Sequence, residues 1–220
     1  MKKIYKKIIL CIVGIVLLIA IASRFASLDE KISWSNRSYL KIVNVRNVDV
    51  DNYDKTVDVN FTIEYYDGLK HNIVKNIIEN SKKIVYKDNE YKDYKLTITM
   101  FSASKQPLFS VEFNSENDIE KIHCVINKYG NVLLLSEISK YFPNVKNLWL
   151  DDIYSFHVPK LEDWEKTKNP VYEEYCNVEN YKRFTNLESI EFCVKPRNEA
   201  INYIKEKFPN CELKYGMVIE

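Results

Sequence analysis

The sequence predicts an α+β protein in three parts: an N-terminal membrane or signal helix, a small domain of antiparallel sheet plus helix, and a short repeat-bearing α/β unit. Three observations carry this reading. An unbroken apolar run, Ile8 to Ala22, follows four lysines with no acidic residue before it. Strict alternation through Val57, Val59, Phe61, Ile63 and Tyr65 gives way to helical spacing at Leu69, Ile73, Ile77 and Ile78. An aromatic-x-Asn motif followed by spaced apolar residues then occurs at Phe142, Phe184 and Phe208.

The first element has the order of an export signal: a basic flank, an apolar core, then small residues. The run of 15 residues lies between the ~7–15 of a cleavable core and the ~17–25 of a spanning helix. Ala20-Ile21-Ala22 offers a cleavage site, whereas Lys7 and Arg24 could snorkel and let an uncleaved helix span. Both outcomes stay open: a single-pass anchor over residues 1–26, or secretion after cleavage near Ala22. Lys2, Lys3, Lys6 and Lys7 place the N-terminus in the cytoplasm and the rest outside.

Residues 27–38 are polar, without clear period, and read as a tether. An α+β domain is expected over 39–130. Leu40 to Val45 is a weak strand candidate, and the alternation from Val57 a strong one. An amphipathic helix over 69–84 follows. Leu96, Ile98 and Met100, then Phe109, Val111 and Phe113, alternate with polar residues around the polar stretch Ser102 to Lys105, which predicts a hairpin. Pro107 suits a strand end. Ser115 and Asp118 resemble caps of a second helix with a stripe of Ile119, Ile122, Ile126 and Tyr129, stopped at Gly130.

Residues 131–220 carry the repeat. Phe142-Pro143-Asn144-Val145-Lys146-Asn147-Leu148-Trp149-Leu150 aligns with Phe184-Thr185-Asn186-Leu187-Glu188-Ser189-Ile190-Glu191-Phe192 and, less fully, with Phe208-Pro209-Asn210-Cys211-Glu212-Leu213-Lys214-Tyr215. The pattern resembles the leucine-rich repeat, with apolar positions L-x-x-L-x-L through a short parallel strand. Upstream apolar residues such as Ile138, Tyr181 and Ile204 would form the convex half. The first step, 42 residues long, is read as one repeat with an insertion over 153–177. The resemblance implies a concave ligand face, usually for protein, and no chemistry. Period 2 sends Asn147, Trp149 and Asp151 away from the core, and likewise Ser189 and Glu191. These five form the candidate binding face, with Trp149 either a contact residue or covered by the insertion's aromatics, Tyr154, Phe156, Trp164, Tyr172 and Tyr175.

Chemistry-bearing motifs are scarce. The four glycines stand far apart, which excludes the glycine-rich phosphate cradles and the nucleophile elbow. His71, His123 and His157 lack chelating spacings, and the first two are expected on helices. No cofactor, metal or catalytic residue is therefore assigned. Cys124 and Cys211 read as small core hydrophobes, and Cys176–Cys193 is the one disulfide worth considering. With net charge +1 and four lysines in the leader, the remainder is net negative and has no electrostatic basis for binding nucleic acid. The expected function is that of a membrane-tethered, outward-facing binding or interaction protein of a bacterial envelope with a protein partner. Two alternatives stand beside it. One is a secreted hydrolase using two carboxylates from a set that includes Asp151, Asp152, Glu173 and Glu174. The other is a toxin-immunity or regulatory membrane protein.

Overall fold

The alternating stretch at 57–63 forms the second strand of an eight-stranded sheet whose spatial order is the order of the chain. In this computed structural model, which describes residues 2–64, 70–126, 132–152 and 170–216, the elements are as follows. Helix α1 spans Lys2–Phe25 and α2 spans Leu28–Ser35; a 3-10 turn at Arg37–Tyr39 leads into β1, Val43–Asp51, and β2, Thr56–Ile63. Helix α3, His71–Lys87, precedes β3, Lys95–Ser102, β4, Pro107–Ser115, and β5, Asp118–Ile126. Then come α4, Leu135–Tyr141, β6, Asn147–Asp152, α5, Pro170–Cys176, a 3-10 turn at Val178–Tyr181, β7, Ser189–Phe192, α6, Asn198–Lys207, and β8, Glu212–Tyr215.

β1–β2, β3–β4 and β4–β5 are antiparallel; β2–β3 and every pair from β5 to β8 are parallel. Each parallel step needs a crossover, and crossovers of one hand on a sheet that grows in one direction fall on one face. That face holds the core. Val57, Val59 and Phe61 of β2, Leu96, Ile98 and Met100 of β3, and Leu148, Leu150, Ile190 and Phe192 further along are all buried there. They meet Val74, Ile77, Ile78 and Val85 of α3, Ile138 of α4 and Ile204 of α6 in one continuous cluster. One sheet and one core cluster take in described residues on both sides of the expected boundary at 130 and 131. At the junction His71 of α3 pairs with Glu137 of α4, and Lys75 lies 4.6 Å from the Tyr141 ring centroid.

Five expectations change. The sheet within 39–130 is not wholly antiparallel, because the connection through α3 returns the chain to run β3 parallel to β2. Residues 118–126 are a strand, not a helix; Tyr129 and Gly130 lie outside the described residues. The cause is a β-bulge. Glu112 pairs with Lys121 but Phe113 pairs with Ile119, so Glu120 is an extra residue. It puts Ile119 and Ile122, three apart, on the same face and so mimics helical spacing. His123 accordingly sits on β5, while His71 does begin a helix. Residues 27–38 are not a loose tether. Leu28 and Ile32 of α2 are buried, and the buried Asn36 side chain donates to Ile32 O at 3.1 Å and Ser81 Oγ at 3.4 Å while accepting from Asn80 at 3.1 Å. Lys31 adds a salt bridge to Asp88 at 3.0 Å. β1 continues to Asp51 rather than ending at Val45.

The last change concerns the N-terminus: among the described residues no helix is long and apolar enough to cross a membrane. The side chains of Leu10, Ala20 and residues 22–25 lie outside that description. Along the described part, Ile15, Val16, Leu17, Leu18 and Ile19 are all exposed. Five consecutive residues exceed one turn of 3.6, so over this stretch the helix is apolar and uncovered all round.

β6 pairs directly with β7, so no strand lies between them in the sheet. β8 closes the row as an edge with alternating half-buried and exposed positions.

Candidate binding face

Among the described residues the second face of the sheet carries no helix, and its side chains form rows across the strands. One row runs Asp58, Thr97, Glu112, Lys121, Asn147, Ser189, Glu212; the next runs Asn60, Thr99, Ser110, His123, Trp149, Glu191, Lys214. All are polar apart from Trp149. Asn147, Trp149, Ser189 and Glu191 line one open depression of about 230 Å³ together with Lys121 and Lys214. Asp151 lies one step further along β6, its Oδ2 3.8 Å from His123 Nε2. The structure thus brings four of the five sequence-derived residues to one hollow and the fifth beside it.

The hollow is built around a braced indole. Trp149 stacks on His123 with ring centroids 4.0 Å apart and planes 14° from parallel, and Lys121 Nζ lies 5.0 Å from the indole centroid. Offset aromatic stacking and a nearby cation each hold such a ring in place. Among the described residues the buried His123 Nε2 has no hydrogen-bond partner, and the ring's contact on this face is its stacking on Trp149. Trp149 remains half-buried. Of the insertion's aromatics, Tyr172 and Tyr175 are buried, and Tyr175 packs 5.9 Å from Phe192 in the helix layer rather than over Trp149. Tyr154, Phe156, Trp164 and His157 lie outside the described residues.

The floor is oriented by hydrogen bonds. Asn147 donates to Glu120 Oε1 at 3.0 Å and to Glu120 O at 3.2 Å, and its Oδ1 accepts from Ser189 Oγ at 2.6 Å. Lys146 supports Glu120 from below at 3.2 Å and Asp118 at 2.9 Å. The Lys146 contact draws the Asp118 carboxyl below its usual range, and the two carboxylates raise Lys146. Lys121, His123 and Lys214 were not among the residues expected on this face. The alternation Lys121-Ile122-His123-Cys124 held the signal for the first two.

Two of the carboxylates considered for hydrolysis hold the helix layer together. Glu173 is gripped by both terminal nitrogens of Arg197, and Glu174 Oε2 accepts from the Ser136 N–H at 3.0 Å and from Asn180 at 3.3 Å. Glu162, Asp163 and Glu165 lie outside the described residues. Among the described residues no group of His, Cys, Asp and Glu could hold a metal ion. Cys124 is buried, its thiol pushed up to about 12 by desolvation. Cys176 is a free thiol, so the Cys176–Cys193 bridge is not made. Set beside protein-family models, curated proteins and solved structures, the chain matches none.

Proposed function

We propose that this chain is a membrane-tethered, outward-facing binding protein of a bacterial envelope, and that its bare sheet face around Trp149 takes a protein partner. The observation that carries the reading is a half-buried, braced tryptophan in a polar hollow on a face that no helix among the described residues covers. Tryptophans in such settings, ringed by polar groups, are the side chains that dominate protein interfaces. The hollow is open and, at about 230 Å³, smaller than the ~300–1,000 Å³ of sites that enclose small molecules. A side chain projecting from a protein surface suits it better. Lys121 and Lys214 flank Glu191, so the partner would present charges of both signs. The resemblance of the C-terminal part to leucine-rich repeats supports the same surface, since ligands of that family lie along the strand face. The membrane tether rests on α1, whose apolar stretch Ile15 to Ile19 is exposed around a full turn, an arrangement that water would not tolerate uncovered.

Photo-crosslinking in cells tests this reading. A benzophenone amino acid at Glu191, on the strand face, should give a discrete protein adduct, and one at Lys205, exposed on α6, should not. Adding Trp149→Ala should cut the adduct at position 191 by roughly 30-fold or more, the loss of a hot spot of ~2 kcal/mol. Equal adducts at both positions, or none at 191, would refute the assignment of the face.

A further inference from the structure

Where α1 ends, the body begins almost at once. Only Ala26 and Ser27 separate Phe25 from Leu28, a gap of at most ~10 Å even when extended. Neither residue is loose. Ala26 is buried, and the Ser27 N–H donates to Glu30 Oε2 at 3.0 Å while Ser27 O accepts from the Lys31 N–H at 3.0 Å. Lys31 in turn binds Asp88, the C-cap of α3. α1 therefore leaves the body at the end where α3 finishes.

Two loops share that end. Tyr94 donates its hydroxyl to Asn52 Oδ1 at 3.1 Å and the Lys95 N–H donates to Lys55 O at 2.9 Å, which holds the β1–β2 turn beside the α3–β3 loop. Tyr53, at the tip of the turn, is 95% exposed. Tyr91 and Tyr94 stand behind it, edge to face with centroids 5.4 Å apart. Outside α1, the exposed large hydrophobic side chains among the described residues are Tyr53, its near neighbour Val50, and Trp34. Trp34 lies about two turns up α2, roughly 10 Å further from α1.

We propose that this end of the body, the 52–55 turn with the 88–94 loop behind it, rests in the headgroup zone of the membrane that holds α1, with Tyr53 inserted. The inference rests on the membrane reading of α1. A tyrosine has an apolar ring and a polar tip, the combination enriched at the membrane–water boundary. In water a ring this exposed gains nothing; within reach of the bilayer it gains burial while its hydroxyl stays hydrated. Charge does not supply the attraction. Lys55, Lys87, Lys92 and Lys95 are offset by Asp51, Asp54, Asp88, Glu90 and Asp93 at the same end, so zwitterionic lipid should serve as well as anionic lipid.

The test uses the full chain in phosphatidylcholine vesicles, with the benzophenone amino acid placed singly at Ile15, Tyr53 or Lys205 and lipid adducts read by intact mass. Adducts at 15 and 53 but not at 205, unchanged when phosphatidylglycerol is added, are the expected result. An adduct at 15 without one at 53 overturns the docked end and leaves the anchor standing. No adduct at 15 overturns the anchor itself. An adduct at 53 that needs phosphatidylglycerol overturns the aromatic basis, and equal adducts at 205 overturn the orientation.

Discussion

Deleting Glu120 should be far less damaging than deleting a residue from a regular strand of the same sheet. The bulge makes Glu120 the one residue of β5 without a place in the ladder, so its removal lets Ile119 follow Lys121 in plain alternation. Ile119 still faces Phe113, and Ile122 still faces Val111. What is lost is polar: the Glu120 contacts to Lys146 at 3.2 Å, Asn147 at 3.0 Å and Asn114 at 2.7 Å. Lys146 keeps Asp118 at 2.9 Å. At ~0–1 kcal/mol for the half-exposed ion pair and ~0.5–1.5 for each of the two hydrogen bonds, the cost is about 1–4 kcal/mol. For a body of this size that lowers the melting temperature by roughly 2–16 °C. Deleting Thr97, equally polar and on the same face, has no spare residue to absorb it. Either Leu96 turns outward and Lys95 inward, or Ile98 and Met100 turn outward. Loss of one fully buried aliphatic side chain alone costs ~2–5 kcal/mol, and a lysine forced inward adds more. Thermal unfolding of the detergent-solubilised chain, followed by circular dichroism, compares the two. Equal damage from both deletions would show that the bulge is not what keeps Ile119 in the core.

Phe61→Ala should cost ~3–5 kcal/mol, because Phe61 is fully buried between β1 and β3, whereas Thr62→Ala on the open face should cost under ~1 kcal/mol; urea unfolding midpoints separate them, and matching losses would mean that the open face is covered. Cys124 ionises near 9.0 when unfolded and at about 12 when folded, so between these values the unfolded chain holds fewer protons and stability falls as pH rises. Unfolding midpoints from pH 8 to 11 should therefore decline more steeply for the parent chain than for Cys124→Ala, and parallel slopes would contradict the buried thiol.

Strands with strict alternation were legible in the sequence, because a sheet with one covered face writes its period directly into residues such as Val57, Val59 and Phe61. The face around Trp149 was legible for the same reason: once Leu148 and Leu150 are assigned inward, their neighbours have one direction left. Elements whose packing depends on distant residues were not. α2 buries only Leu28 and Ile32, too few for a visible stripe, and it is held by Asn80, Ser81 and Asp88 some fifty residues away. β5 was misread because a bulge, set by its pairing with β4, turned a strand's spacing into a helix's. That error removed Lys121 and His123 from the candidate site, although they brace its tryptophan.

Because the strands lie in the sheet in the order in which they occur in the chain, each one after the first docks on an edge that has already been made. No strand after β1 has to wait for a partner encoded further downstream. Pairings between neighbours in sequence close short loops, and short loops close fastest. A chain that appears from its N-terminal side onward, as during synthesis, can then build its sheet strand by strand as it emerges. At every stage one growing edge is unpaired, and the next residues to arrive are the ones that cover it.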